Sequence, residues 1–138
     1  MANATATDSR RGKGSVARPL SPHLEIYSLS ISMAMSIIHR ITGGALFFGT
    51  ALLAWWLIAA ASGPDYFNYV NAIFGSILGR IVLFGYTWAL LHHMFGGIRH
   101  LIWDTGRGFD LGTVDRMCWI SLFGSIGATI VIWLLASF

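Results

Sequence analysis

The stretch ITGGALFFGTALLAWWLIAAAS, residues 41–62, contains no charged side chain. Two further stretches of similar length, residues 81–102 and 117–138, contain no aspartate, glutamate or lysine. As an α-helix each stretch is about 33 Å long, which matches the roughly 30 Å hydrocarbon core of a bilayer. The pattern predicts an all-α membrane protein with three transmembrane helices, at about residues 30–62, 77–103 and 114–138.

The composition agrees with a membrane location and excludes several classes of protein. Of the 138 residues, 55% are hydrophobic and only 11% are charged, too few to cover the surface of a soluble domain. The single cysteine, Cys118, excludes an internal disulfide and a multi-cysteine metal or iron–sulfur site. Because membrane topology accounts for the net charge of +3, nothing points to a nucleic-acid partner.

The distribution of basic residues predicts the orientation in the membrane. The connection at residues 63–79 contains Asp65 and no lysine or arginine, so we expect it on the outer side. The stretch SGPDYFNY, residues 62–69, predicts an outer loop with a helix start. The N-terminus is then cytoplasmic and the C-terminus periplasmic, in a bacterial inner membrane rather than a mitochondrial one. The basic residues on the cytoplasmic side are Arg10, Arg11, Lys13, Arg18, Arg40, Arg107 and Arg116.

The chain divides into a tail and one membrane domain. Residues 1–17 are polar and predict a flexible tail. The segment RPLSPHLEIY, residues 18–27, carries two prolines and predicts an extended arm on the cytoplasmic surface. Residues 18–138 form the three-helix anchor domain.

The second membrane helix carries ionisable side chains, which are costly in a bilayer and indicate a functional site. His93, Gly96, Gly97 and His100 share one helical face, and the two glycines leave room there for a flat group. Imidazole is a common ligand of haem iron. His92 points about 100° away, and for it a hydrogen bond to a neighbouring helix is the favoured interpretation.

Geometry limits how these histidines bind a haem. Two axial nitrogens lie roughly 4 Å apart, given metal–nitrogen bonds of about 2 Å. His93 and His100 are separated by about 10.5 Å along the helix axis, so they cannot bind the same iron. One helix supplies at most one axial ligand, and the other comes from a different helix or a second subunit. His100 either meets a cofactor carboxylate or extends to the interface. Arg99 is expected next to His100 at the wet inner end of this helix.

A second group of polar residues lies at the start of the first membrane helix. Ser36 and Arg40 share a face at spacing i, i+4, next to His39. A hydroxyl and a guanidinium there suit the carbonyl oxygens of a quinone, because both donate hydrogen bonds. Arg40 pairing with lipid phosphate is the alternative interpretation.

Three sequence blocks, in order, resemble one protein family. The chain is similar to the cytochrome b membrane-anchor subunits of succinate dehydrogenase, respiratory complex II, over about residues 18–104. A third helix lies in the expected place. The blocks are RPLSPHLEIY at 18–27, SIIHRITG at 36–43 and HHMFGGIRHLIWD at 92–104.

The resemblance implies a role for each matching residue. His93, seven residues before His100 of GIRH, corresponds to the haem b ligand, and the companion anchor subunit supplies the other axial histidine. The remaining implied residues are His39 and His100 near the haem propionates, Gly96 and Gly97 in the haem pocket, and Ser36, Arg40, Ile37 and Leu29 at the ubiquinone site.

The implied function is that of a membrane-anchor cytochrome b subunit of succinate:ubiquinone oxidoreductase, in the tricarboxylic acid cycle and aerobic electron transport. FAD and the iron–sulfur clusters belong to a flavoprotein and an iron–sulfur subunit, so this chain alone has no complete active site. Membrane lipid surrounds it. The alternatives are the anchor of a quinol:fumarate reductase and, less favoured, a non-catalytic scaffold or transporter subunit.

Overall fold

The computed structural model describes residues 28–136 and contains four α-helices in that range. The predicted tail at 1–17 and arm at 18–27 lie outside the described residues. The helices are α1 (Ile31–Ser62), α2 (Pro64–Gly75), α3 (Ile77–Asp104) and α4 (Leu111–Ala136). The described part has no strand, and α1, α3 and α4 are long and apolar enough to cross a membrane. The prediction of an all-α protein with three membrane helices is confirmed.

The short helix α2 is an addition to the prediction, which placed only an outer loop with a helix start here. Gly63, at a φ of 118°, ends α1, and Pro64 begins α2 at a position where proline is favoured. Trp55 Nε1 donates to the Tyr66 hydroxyl over 2.9 Å, which ties α2 to α1. At 12 residues, or about 18 Å, α2 is too short to span a bilayer.

The helix ends are set by local capping. Ser30 caps α1 by accepting a hydrogen bond from the Met33 amide, and Ser76 caps α3 by accepting one from the Gly79 amide. The Asp110 carboxylate accepts a hydrogen bond of 2.9 Å from the Thr113 amide at the start of α4. Bonds from the Thr113 side chain and backbone lower the pKa of the Asp110 carboxyl. This cap explains why α4 begins at Leu111, about three residues before the predicted start.

The helix α3 packs against both α1 and α4 and lies at the centre of the bundle. The buried residues of α4 are small, and most are polar, whereas its large apolar side chains are exposed and suited to lipid or other subunits. Small side chains let α3 and α4 approach closely. The buried residues of α4 are Cys118, Ser121, Ser125 and Thr129.

Candidate functional site

Two histidines from different helices stack between α1 and α3. The rings of His39 and His93 are nearly parallel, with their centroids 4.0 Å apart and an interplanar angle of 6°. His93 Nδ1 lies 3.1 Å from the carbonyl oxygen of His39, and His39 Nε2 lies 3.3 Å from the carbonyl oxygen of His93. Each ring therefore bonds to the backbone of the other helix.

These bonds determine which ring nitrogen carries the proton. A carbonyl oxygen only accepts, so His93 donates from Nδ1 and its Nε2 holds a lone pair. The Thr42 hydroxyl supports this arrangement, because it donates to the His39 carbonyl over 2.9 Å and its oxygen faces His93 Nδ1 at 3.4 Å. The same reasoning places the proton of His39 on Nε2. His93 thus presents a nitrogen that is able to bind a metal.

His100 extends the pair to a row of three imidazoles, which we name the histidine cluster (His39, His93 and His100). Its ring lies 5.3 Å from that of His39 and packs edge-on against Trp103 at 5.2 Å. His100 is exposed, and His39 and His93 are half-buried. Within residues 28–136, no group of three or more histidine, cysteine or acidic side chains is arranged to hold a metal ion. The cluster therefore offers separate imidazoles, of which only His39 and His93 are stacked face to face.

The two glycines that were predicted to open one face of α3 differ in their surroundings. A Cβ atom on Gly96 would lie 2.8 Å from His39 Nε2 and overlap Cδ2 of the same ring. A Cβ atom on Gly97 would meet no atom within 4 Å. His39 thus fills the space over Gly96, whereas the space over Gly97 is open.

Substituting Gly96 by alanine is expected to destabilise the protein. The added methyl group displaces the His39 ring, and overpacking of this kind costs about 1–3 kcal/mol. Gly85→Ala is the matched control, because Gly85 lies on the same helix with no atom within 4 Å of the new Cβ. Thermal unfolding of the purified protein in its complex measures the difference. Equal melting temperatures for the two variants would contradict this packing.

His92 lies on the opposite side of α3, against α4. It is 1% exposed, and its Nδ1 lies 3.3 Å from the Ser125 hydroxyl oxygen. Ser125 donates its own proton to the Leu122 carbonyl, so it accepts from His92. The His92 ring also stacks on Trp88 at 5.2 Å. The protein encloses this imidazole completely, away from His93.

Arg99 is the residue that the sequence interpretation placed wrongly. It was expected with His100 at the wet inner end, but it is only 3% exposed. Its Nη1 donates to Cys118 Sγ over 3.1 Å, and its guanidinium carbon lies 5.1 Å from the centroid of the Trp103 ring. The spacing of seven residues from His92 places both on one helical face, a signal that could have indicated that the two residues are buried together.

The residues predicted for a quinone site lie on the exposed surface of α1 and just before it. Ser36 and Arg40 are exposed one turn apart, Ile37 is 49% exposed and Leu29 is 61% exposed. They form an open surface in this chain and not a closed pocket. A cavity of about 360 Å³ lies elsewhere, towards α2, and its lining includes Trp56, Asn71 and Tyr86.

Comparison with known proteins identifies the family. The sequence model of the protein family described as succinate dehydrogenase/fumarate reductase transmembrane subunit matches residues 15–132. The succinate dehydrogenase cytochrome b556 subunit of Rickettsia felis is 43% identical over 116 residues, 84% of this chain and 90% of that protein. The same subunit of Paracoccus denitrificans is 41% identical over 109 residues, 79% of this chain and 84% of that protein.

A mitochondrial protein is also similar. The human succinate dehydrogenase cytochrome b560 subunit is 42% identical over 96 residues, 68% of this chain and 57% of that protein. The family match covers α1, α3 and most of α4, together with the histidine cluster and the exposed polar surface of α1. The chain belongs to the family of succinate dehydrogenase/fumarate reductase transmembrane subunits.

Proposed function

We propose that this chain is the cytochrome b anchor subunit of a bacterial succinate:ubiquinone oxidoreductase, and that His93 is an axial ligand of its haem b. The observation that carries the proposal is the hydrogen bond from His93 Nδ1 to the His39 carbonyl. Metal-binding histidines almost always donate their second ring nitrogen to a carbonyl, carboxylate or water, which orients the ring. The names of the bacterial relatives support the same function.

The residues around His93 fit a haem with one ligand from this chain. The open space over Gly97 lies one turn from His93, on the neighbouring part of the same face. His39 meets His93 ring to ring, so it offers no second nitrogen towards the same metal. A histidine of a second anchor subunit completes the coordination. When bound, the haem supplies one-electron redox chemistry.

We assign His39 and His100 to the haem propionates. Both belong to the histidine cluster, and His100 is exposed next to Trp103. An imidazole N–H donates a hydrogen bond to a carboxylate, as His100 can. His39 already donates from Nε2 to the His93 carbonyl, so it donates to a propionate from Nδ1, in its doubly protonated form. Gly96 contributes indirectly to this pocket, because it makes room for the His39 ring.

Ser36 and Arg40 are proposed to bind ubiquinone, with Ile37 and Leu29 as its apolar wall. The Ser36 hydroxyl and the Arg40 guanidinium donate hydrogen bonds to a quinone carbonyl oxygen, and these bonds strengthen as negative charge develops there. Because all four residues are exposed on this chain, other subunits supply the rest of the pocket. Arg40 lies directly after His39, so the quinone and haem residues are adjacent.

The proposed partners follow from the chemistry that this chain lacks. A flavoprotein subunit holds FAD and oxidises succinate, and an iron–sulfur subunit passes the electrons to the quinone. The second anchor subunit packs against the exposed apolar surface together with lipid. The location is the bacterial inner membrane, with the N-terminus cytoplasmic and the C-terminus periplasmic.

The experiment that tests the proposal is purification of the complex from membranes. We expect a b-type band in the reduced-minus-oxidised spectrum, with the flavoprotein, iron–sulfur and second anchor subunits identified by mass. A purified complex without b-type haem would overturn the haem assignment. Because the family description also names fumarate reductase, the quinol:fumarate reductase anchor is the second candidate. Faster fumarate reduction than succinate oxidation would favour it.

A further inference from the structure

Arg99 is a buried cation in a membrane-spanning helix. Its side chain is 3% exposed between α3 and α4. Two uncharged groups contact its guanidinium, the Cys118 sulfur and the face of the Trp103 ring. Its own Nε has no hydrogen-bond partner within the described residues. Within residues 28–136 Arg99 forms no ion pair with an aspartate or glutamate, and Asp104 and Asp115 are both exposed. The charge of Arg99 is therefore not neutralised by this part of the chain.

Burial of such a charge is costly, and an apolar side chain would pack between two membrane helices without that cost. The sulfur and the indole face attract the guanidinium but carry no net negative charge. A buried charge is also screened much less by salt than an exposed one, so it acts over a longer distance. The buried charge of Arg99 is therefore suited to change the energy of a neighbouring group that gains or loses charge.

We propose that Arg99 is a positioning residue of the redox site, a fixed positive charge that raises the reduction potential of haem b at His93. This inference rests on the proposed function. Arg99 follows His93 by six residues on α3, or about 9 Å along the helix axis. Reduction adds one negative charge to the haem, and a nearby cation favours that change.

Coulomb's law gives the size of the effect. One unit charge at a distance of about 10 Å, in a medium with an effective dielectric constant of about 20, changes the reduction equilibrium on the order of tenfold. For a one-electron couple, a tenfold change corresponds to about 59 mV. The structure therefore predicts a measurable shift.

The experiment is a potentiometric titration of the b-type band in the purified complex, with Arg99→Gln compared with the unchanged protein. We expect the reduction equilibrium of the variant to fall about tenfold. Arg99→Lys retains the charge and should retain most of the potential. Cys118→Ala removes the hydrogen bond and leaves the charge, so its potential should be unchanged. An unchanged potential in Arg99→Gln at full haem content would overturn the proposal.

Cys118→Asp provides a second test, which leaves Arg99 in place. It does not depend on whether Arg99→Gln assembles into the complex. The new carboxylate lies beside the guanidinium, neutralises its charge and should lower the potential to a similar extent. Arg80→Gln is the matched control, because Arg80 is exposed near the opposite end of α3. A potential unaffected by Cys118→Asp, or lowered equally by Arg80→Gln, would contradict the proposal. Absence of haem from the unchanged complex would instead contradict the proposed function.

Discussion

Replacing His93 by alanine is expected to remove the b-type absorption band from the assembled complex. The substitution deletes the nitrogen that the His39 carbonyl orients for metal binding, and within residues 28–136 no other imidazole takes its place. Reduced-minus-oxidised spectra, normalised to the amount of iron–sulfur subunit, measure the loss. We expect less than about a tenth of the haem to remain, because losing a metal ligand costs more than the 10–100-fold typical of a residue that only orients one.

His92→Ala is the matched control for that experiment. His92 is bonded to Ser125 and stacked on Trp88 on the α4 side, so its removal should leave the haem in place. Added imidazole separates a ligand from a packing residue, because it should restore the band in the His93 variant by occupying the cavity. Haem loss in the His92 variant, together with haem retention in the His93 variant, would show that His92 and not His93 is the ligand.

Arg40→Ala is expected to lower succinate:ubiquinone reductase activity by about 10–100-fold, while succinate oxidation measured with an artificial dye stays normal. The variant loses a charge-assisted hydrogen bond to the quinone, worth about 1.5–3 kcal/mol. The flavoprotein and iron–sulfur subunits are untouched, so electrons still reach the dye. The ratio of the two rates in the purified complex is the measurement.

Arg107→Ala distinguishes quinone binding from a role in membrane orientation. Arg107 is an exposed basic residue in the connection after α3 and has no part in the proposed quinone site. If Arg40 acts only on lipid phosphate, both variants lower the amount of complex in the membrane and leave its specific activity normal. A normal reductase rate per complex in Arg40→Ala would contradict the quinone assignment.

The membrane helices were predictable because hydropathy depends only on local sequence. The bounds of α1 and α3 lie within one residue of the expected ones, at Ile31–Ser62 and Ile77–Asp104. The helix α2 was predicted only as a helix start within an outer loop, although proline at the first position and an acidic first turn both favour a helix N-terminus. Local sequence signals were thus sufficient to position the long membrane helices, but they did not show how far the short helix α2 extends.

The arrangement of the site was less predictable, because it depends on how the helices are rotated against each other. Helical spacing placed His93, Gly96 and His100 on one face but did not show that His39 of α1 fills the space over Gly96. Arg99 was expected near water because of its charge, yet its face packs against α4. A one-helix pattern contains no information about which neighbour covers each face.

The reciprocal bonds between His39 and His93 also fix the position of α1 relative to α3 along the helix axes. Each ring is fastened to the main chain of the other helix, so α1 and α3 cannot slide past each other without breaking both bonds. A slip of one turn would displace them by about 5.4 Å. Arg40 follows His39 directly, so it is held at a constant depth relative to His93. The residues proposed for quinone and for haem on this chain therefore keep one fixed spacing.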